Sequence, residues 1–328
     1  MINFGVVGTG WITESFIAGA HNTKKWQLAA VFSRKQATAT EFASKYNVST
    51  TYTSLESLGA DSDIRVVYIA SPNSLHFSQA SILLRAKKHV ILEKPLASNS
   101  AELDSLFTLA KENDVFLIEA FRHIHEVNFR VLQSNLARLG PIYGASLNYA
   151  SYSSRYNKVL DGEVPNIFSL EYSGGSLADL GVYPIAAAVA LFGEPQKCIY
   201  KPVIIATGAD GGGVILLEYD TFGVSVNASK IYTSTAPSEV YGEKGTLVIN
   251  AVTDIDSVKF LDAKRKNTEE LAQEKAEQNL QEEADVYADW IEKKDIKAVG
   301  IQEQISRAVL RSTEKMRKDN GLIFATEK

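Results

Sequence analysis

Ile2-Asn3-Phe4-Gly5-Val6-Val7-Gly8-Thr9-Gly10-Trp11-Ile12-Thr13 is the stretch on which the fold turns. An apolar run of strand length ends at a glycine pair and passes into an amphipathic segment, so the expected order is strand, tight turn, helix. Gly8 permits the sharp turn, and Gly10 removes a side chain where a pyrophosphate must approach backbone. The helix start then offers unpaired N–H groups and a partial positive charge to an anion. Thr13 stands where the third small residue of such a loop usually falls, so the motif is imperfect.

Outward from this turn, roughly the first 120 residues alternate β-branched runs with helical stretches, the pattern of a parallel sheet wrapped by crossover helices. Strands are expected at 2–7, 28–32, 66–70, 89–92 and 115–119, nearly unbroken in apolar residues as for strands covered on both faces. Helices are expected at 11–21, 37–46, 75–86 and 101–113. Asn73-Ser74 and Ser100 are placed to cap two of them. Ligands of such open sheets gather outside the carboxyl ends of the strands.

After Glu119 the pattern changes. A helix at 127–138 ends at Leu139-Gly140-Pro141, and alternating strand sequence follows at 143–152, 197–206, 213–219, 223–231, 238–241 and 246–250, with short turns that imply antiparallel neighbours. The charged stretches 267–294 and 301–317 read as surface helices. The expected fold is therefore α/β: an N-terminal Rossmann domain, 1–121, then an α+β domain on an open, mostly antiparallel sheet, 122–328.

Composition narrows the function classes. The 328 residues carry 34 Lys+Arg against 39 Asp+Glu, a formal charge of −5, without the basic concentration a nucleic-acid binder needs. Cys198 is the only cysteine, which excludes an intrachain disulfide, a Cys-rich zinc site or an iron–sulfur cluster and fits a reducing cytoplasm. The first residues lack a basic leader and their apolar run is cut by glycines, so neither export nor membrane insertion is expected.

Four further segments bear chemistry. The second strand ends Val31-Phe32-Ser33-Arg34-Lys35, with no acid for a ribose 2′-hydroxyl. Ser33 and Arg34 suit a 2′-phosphate instead, so NADP(H) is the expected cofactor, with NAD as the alternative. Ser71-Pro72-Asn73-Ser74-Leu75-His76 and Glu93-Lys94-Pro95 each leave the carboxyl end of a strand. Lys94, locked before a proline and placed near an oxidised nicotinamide, would favour its neutral amine and so suit proton transfer. Asp179 and Tyr183, four residues apart after Ser173-Gly174-Gly175, face one side of a helix, and Pro184 should kink or restart that helix.

Taken in order, Gly8-Thr9-Gly10, Ser71-Pro72-Asn73-Ser74-Leu75-His76, Glu93-Lys94-Pro95, Glu119-Ala120-Phe121 and Gly174-Gly175…Asp179-Leu180-Gly181-Val182-Tyr183-Pro184 resemble the Gfo/Idh/MocA oxidoreductases across essentially the whole chain. The resemblance implies substrates among sugars, polyols and cyclic alcohols, and dimer or tetramer contacts through the C-terminal sheet. It makes Lys94, Asp179 and Tyr183 the catalytic set. Gly8, Thr9, Gly10, Trp11, Ile12, Ser33, Arg34, Ser71, Asn73, His76, Glu93, Lys94 and Arg122 would contact the cofactor, with Asn73 and His76 near the nicotinamide ribose. Tyr183 stands where the inositol dehydrogenase branch has histidine. It matches instead the dihydrodiol dehydrogenase, xylose dehydrogenase and glucose–fructose oxidoreductase branches, which points away from inositol. Arg122-His123-Ile124-His125-Glu126 departs from the His-Pro pair common in that branch, and its two histidines make an incomplete metal set.

The expected reaction is reversible hydride transfer between NADP(H) and a secondary alcohol or its carbonyl. Tyr183 exchanges the hydroxyl proton, Lys94 assists, and the two converge across the nicotinamide. Two alternatives use the same fold: glycoside cleavage with a tightly held NAD, and a non-catalytic NADP-dependent sensor or repressor. No nucleic-acid or membrane partner is expected.

Overall fold

A computed structural model describes residues 1–264 and 266–328. The chain divides into two units, Met1–Ala120 with Ala276–Ser306, and Phe121–Lys275 with Arg307–Lys328.

In the first unit the elements run β1 (Ile2–Val7), α1 (Trp11–Asn22), β2 (Trp26–Phe32), α2 (Gln36–Ser44), β3 (Thr51–Tyr52), α3 (Leu55–Ala60), β4 (Val66–Ile69), α4 (His76–Arg85), β5 (His89–Glu93), α5 (Ser100–Glu112) and β6 (Leu117–Ala120). The six strands are all parallel, in the order β3-β2-β1-β4-β5-β6. That order reverses direction between β1 and β4, which opens a crevice at their carboxyl ends. The sheet is buried on both faces, with Phe4, Val6, Val31, Val66, Tyr68 and Ile91 fully covered, as the unbroken apolar runs require. Two helix starts differ from expectation. Asn99 rather than Ser100 caps α5, its side chain accepting from the Glu102 N–H at 2.9 Å. A 3-10 turn, Asn73–Leu75, precedes α4, which has no side-chain cap.

The second unit holds α6 (Val127–Asn135), β7 (Ile142–Ala150), α7 (Tyr156–Leu160), α8 (Val182–Phe192), β8 (Lys197–Ile204), β9 (Asp210–Glu218), β10 (Gly223–Ser229), β11 (Ser238–Gly242), β12 (Gly245–Ile249), β13 (Val258–Asp262) and β14 (Thr268–Glu270). Its sheet, β14-β13-β12-β11-β7-β10-β9-β8, is antiparallel except where β10 pairs with β7. One face is packed: α8 lies against β7 and β10, with Val182, Ile185, Ala186 and Ala188 buried. The helical stretch Leu170–Phe192 is long and apolar enough to cross a membrane by composition, and 67% of its most apolar window is buried in the protein. The opposite face of the sheet alternates outward.

The expected boundary needs correction at its far end. Helix α9 (Gln281–Lys293) belongs to the first unit. Leu280, Ala284, Tyr287, Ala288 and Ile291 join Phe4, Phe16 and Trp26 in one core cluster. The Trp26 indole N–H donates to the Ala284 carbonyl at 2.9 Å. Stretch 267–294 is therefore not one surface helix: it contains β14, an irregular segment and a helix whose apolar face completes the Rossmann core. The last helix, α10 (Ile296–Asp319), begins in the first unit and ends in the second.

Candidate active site

The turn after β1 is shaped by Gly8. Its φ is +111°, and a Cβ there would stand 2.3 Å from the Ala70 carbonyl oxygen of the chain leaving β4, so glycine alone fits. The Ala70 N–H also donates to the Val7 carbonyl at 2.8 Å, binding the two strand ends at the switch point. Gly10 differs: a Cβ there would meet no protein atom within 4 Å, so protein packing does not demand its glycine. Gly10 is the N-cap of α1 without a side-chain cap, which leaves the first N–H groups of the helix to a ligand. Thr9 lies between the two glycines. Trp11 is exposed beside this turn, and Ile12 packs toward the core, so its contribution to an anion site is its backbone N–H. Thr13 Oγ1 and Ser71 Oγ are buried and find no hydrogen-bond partner among the described residues. Ser33 and exposed Arg34 directly follow β2, and no acid adjoins them in the sequence. Glycine turn, uncapped helix and orphaned hydroxyls fit a pyrophosphate, and Ser33 with Arg34 fits a 2′-phosphate.

Lys94 follows β5 through a set of backbone anchors. Its peptide bond to Pro95 is cis. Its N–H donates to Glu93 Oε2 at 3.3 Å, and the Leu96 N–H donates to Glu119 Oε1 at 2.8 Å. Tyr68 donates its hydroxyl to Glu93 Oε1 at 2.6 Å while its ring stacks on Phe16 at 4.0 Å. Glu93 thus anchors the loop with both oxygens. His76 is a second anchor. It is fully buried, with Nδ1 2.9 Å from the Pro95 carbonyl and Nε2 2.9 Å from the Ser71 carbonyl. Burial lowers its pKa to about 4, so the ring is neutral and donates to one carbonyl at a time. His76 ties the Ser71 and Pro95 loops together, while Asn73 opens the 3-10 turn beside it.

Glu119, quoted above only as part of a motif, is the hidden member of this group. Burial raises its pKa to about 7 against the bond from the Leu96 N–H. Its backbone carbonyl accepts from the Tyr287 hydroxyl at 3.2 Å and from Gln302 Nε2 at 3.1 Å.

In the second unit a π turn, Leu177–Gly181, leads directly into α8. Pro184 has no N–H to give to the carbonyl four residues back, Leu180, and the ladder widens where that bond is missing. The turn is fixed from below by Asp210, which begins β9. Asp210 Oδ2 accepts from the Leu177 N–H at 2.6 Å and from the Tyr200 hydroxyl at 2.7 Å. Burial raises the Asp210 carboxyl pKa, and those hydrogen bonds oppose the rise. Gly175, at φ +136°, would place a Cβ 2.1 Å from Asp210 Oδ1, so this glycine is required both for its backbone angle and for the carboxylate behind it. Asp179, on the turn, pairs with Lys230.

Tyr183 is buried and held by rings: His123 edge-on at 5.0 Å and Tyr149 at 5.3 Å. His123 Nε2 lies 2.9 Å from the Tyr183 carbonyl. Among the described residues no cluster of three or more His, Cys, Asp or Glu could hold a metal. Arg122, a candidate cofactor contact, forks onto Asp254, Nη1 to Oδ1 at 2.8 Å and Nη2 to Oδ2 at 2.6 Å, with Glu126 at 3.5 Å. Burial works against its charge, and Asp254, nearby Tyr183 and Glu126 override that and raise its pKa. Lys230, Asp210 and Asp254 were missed from sequence. The visible sign of Lys230 was a lysine in phase with Val224, Val226 and Ala228, the buried side of an alternating stretch.

Comparison with known proteins agrees with both halves. The model "Oxidoreductase family, NAD-binding Rossmann fold" matches residues 2–121, and the "GFO/IDH/MocA C-terminal domain" matches 137–248. The uncharacterized oxidoreductase YgjR of Escherichia coli (strain K12) is 39% identical over 327 residues, covering 100% of this chain and 99% of YgjR. The scyllo-inositol 2-dehydrogenase (NADP(+)) IolU of Bacillus subtilis (strain 168) is 42% identical over 252 residues, 77% of each chain. The distance from inositol enzymes that Tyr183 implied is thus smaller than expected. Among solved structures, the 3-ketoreductase KijD10 of Actinomadura kijaniata, in complex with NADP and TDP-benzene, superposes with a TM-score of 0.80 at 21% identity over 97% of both chains, a likeness of fold.

Proposed function

Because this chain belongs to the GFO/IDH/MocA family of oxidoreductases, with an NAD(P)-binding Rossmann domain, we propose that it moves a hydride between NADP(H) and the secondary alcohol or carbonyl carbon of a sugar, polyol or cyclic diol. The observation that carries the reading is the β1–β4 switch point, where Gly8 meets Ala70 and the uncapped start of α1 faces outward. Bound there, the nicotinamide supplies the hydride acceptor or donor. Every other part falls to the chain. Ser33 and Arg34 select the phosphorylated cofactor. Tyr183 takes the hydroxyl proton in oxidation and returns one to the carbonyl oxygen in reduction. Lys94 orients the substrate oxygen and steadies the charge as the proton moves, and Asp179 holds a second substrate hydroxyl. Proton transfer by a positioned group is worth about 10²–10⁴-fold.

The assembly we infer is a homodimer through the outer face of the second unit's sheet, in a reducing cytoplasm. Ile199, Val203, Val214 and Leu216 are exposed on the adjacent strands β8 and β9, and Ile199 sits opposite Leu216 in the register. An apolar patch of this kind marks an interaction surface.

The test follows NADPH absorbance with aldoses, ketoses, polyols and vicinal diols, using wild-type protein and Tyr183→Phe. Turnover by wild type and its collapse in the variant, with NADPH still bound, is the expected result. Equal turnover by both removes Tyr183 from the chemistry.

A further inference from the structure

Lys230 has a setting that few lysines tolerate. Its side chain is 3% exposed, just beyond the end of β10, with its ammonium paired to Asp179 and 4.9 Å from the centre of the Phe168 ring. Its backbone is held as well: its N–H donates to the Gly211 carbonyl at 2.8 Å, and its own carbonyl accepts from the Ser153 N–H at 2.9 Å. A buried ammonium is costly unless paired, so this one is kept for what it does to its partners. Asp210, on the neighbouring strand, also feels its charge. One cation therefore serves two carboxylates, and both belong to the same device. Asp210 fixes the start of the π turn through the Leu177 N–H, and Asp179 lies within that turn, four residues before Tyr183.

The pair is also one-sided. Asp179 is 30% exposed where Lys230 is 3%, so the part that meets solvent is an oxygen acceptor and the donor is hidden beneath it. A carboxylate so presented takes a hydroxyl hydrogen. On a helical turn, positions four apart set their Cβ atoms ~5–6 Å from each other, a gap that two hydroxyls on adjacent carbons span with one hydrogen bond each.

We propose that Lys230 is a positioning residue: it locks Asp179 as an oriented anion whose exposed oxygen accepts from the second substrate hydroxyl while Tyr183 takes the proton of the reacting one. This rests on the roles given to Asp179 and Tyr183 above and adds to them the residue that fixes Asp179. Asp179 pairs with the lysine, Asp210 feels its charge, and the Phe168 ring lies against its ammonium.

The experiment measures kcat and KM of the full chain with NADP⁺ for a cyclic 1,2-diol and for the matching mono-alcohol in wild type, Lys230→Met, Lys230→Arg and Lys230→Gln. Lys230→Met is expected to lower the diol-over-mono-alcohol ratio of kcat/KM at least tenfold, mainly through the KM for diol. Lys230→Arg should restore part of the ratio. A ratio in Lys230→Met equal to wild type overturns the proposal, as does a proportionate loss on both substrates. Should Lys230→Met show no melting transition, Lys230→Gln takes its place: an unchanged diol ratio there overturns the proposal, and a tenfold loss supports it. Tyr183→Phe, run alongside, separates the two claims, since full turnover in that variant defeats the proton-transfer reading whatever the lysine variants show.

Discussion

Replacing Glu119 by glutamine should stabilise the first unit, and only above about pH 5. Burial raises the Glu119 pKa from 4.5 to about 7, with the bond from Leu96 and the charges of Glu93 and Lys94 as smaller influences. An acid whose folded pKa lies above its unfolded value imposes no cost below the unfolded value, where it is protonated in both states. The cost grows as pH rises from about 4.5 to 7 and is constant beyond. At ~1.4 kcal/mol for each tenfold change in acidity, the penalty in neutral solution is about 3 kcal/mol. Glutamine has the shape of the neutral acid and keeps an oxygen for the Leu96 N–H, which now lies 2.8 Å from Oε1. Opposite drifts from His76 and His89, both lowered to about 4 by burial, destabilise the fold as pH falls below 6.5, but they are common to both proteins and cancel in the difference. Trp11, Trp26 and Trp290 are the only tryptophans and all lie in the first unit, so fluorescence in urea reports that unit alone. The expected difference is near zero at pH 4.5 and about 3 kcal/mol in favour of glutamine at pH 8. A difference independent of pH, or a glutamine variant that is weaker at pH 8, would refute the reasoning.

Arg34→Ala should weaken NADPH by roughly tenfold to a hundredfold, the worth of a charge-assisted phosphate contact, and leave NADH where it was; isothermal titration with both nucleotides checks this. Leu216→Glu, on the outer face of β9, should turn the dimer into a monomer in sedimentation velocity while the melting curve moves little, because the side chain is exposed within the unit. Gly175→Ala combines a left-handed φ of +136° with a contact of 2.1 Å against Asp210 and should cost a few kcal/mol or more in urea unfolding; a variant as stable as wild type would show that the π turn is not held as described.

The parallel sheet was legible because its strands are covered on both faces and so read as unbroken apolar runs. What escaped was too short or too distant to leave a local pattern. Strand β3 has two residues and helix α3 six, the latter marked only by Ser54, whose hydroxyl accepts from the Ser57 N–H. Asn99 and Ser100 are both good caps, and the choice depends on Glu102, which also takes the Ser98 N–H at 2.9 Å. Helix α9 has a clear apolar face, but the sequence does not say that Trp26 and Phe16 lie under it. The site shows the same division. Lys94, Asp179 and Tyr183 stand in motifs, whereas Lys230 reaches Asp179 across 51 positions and Asp254 reaches Arg122 across 132. His76 and Glu93 were flagged by position, and their neighbours in space show that they brace the loop carrying Lys94.

Whether Lys94 and Tyr183 act on one proton transfer is tested most directly by a double-mutant cycle on single-turnover hydride transfer with Lys94→Ala, Tyr183→Phe and the double variant. Two groups acting as a unit lose most of the rate with the first substitution and little more with the second, so the double variant should be about as slow as the slower single one. Rate losses that simply multiply would show that the two residues act independently, against this mechanism.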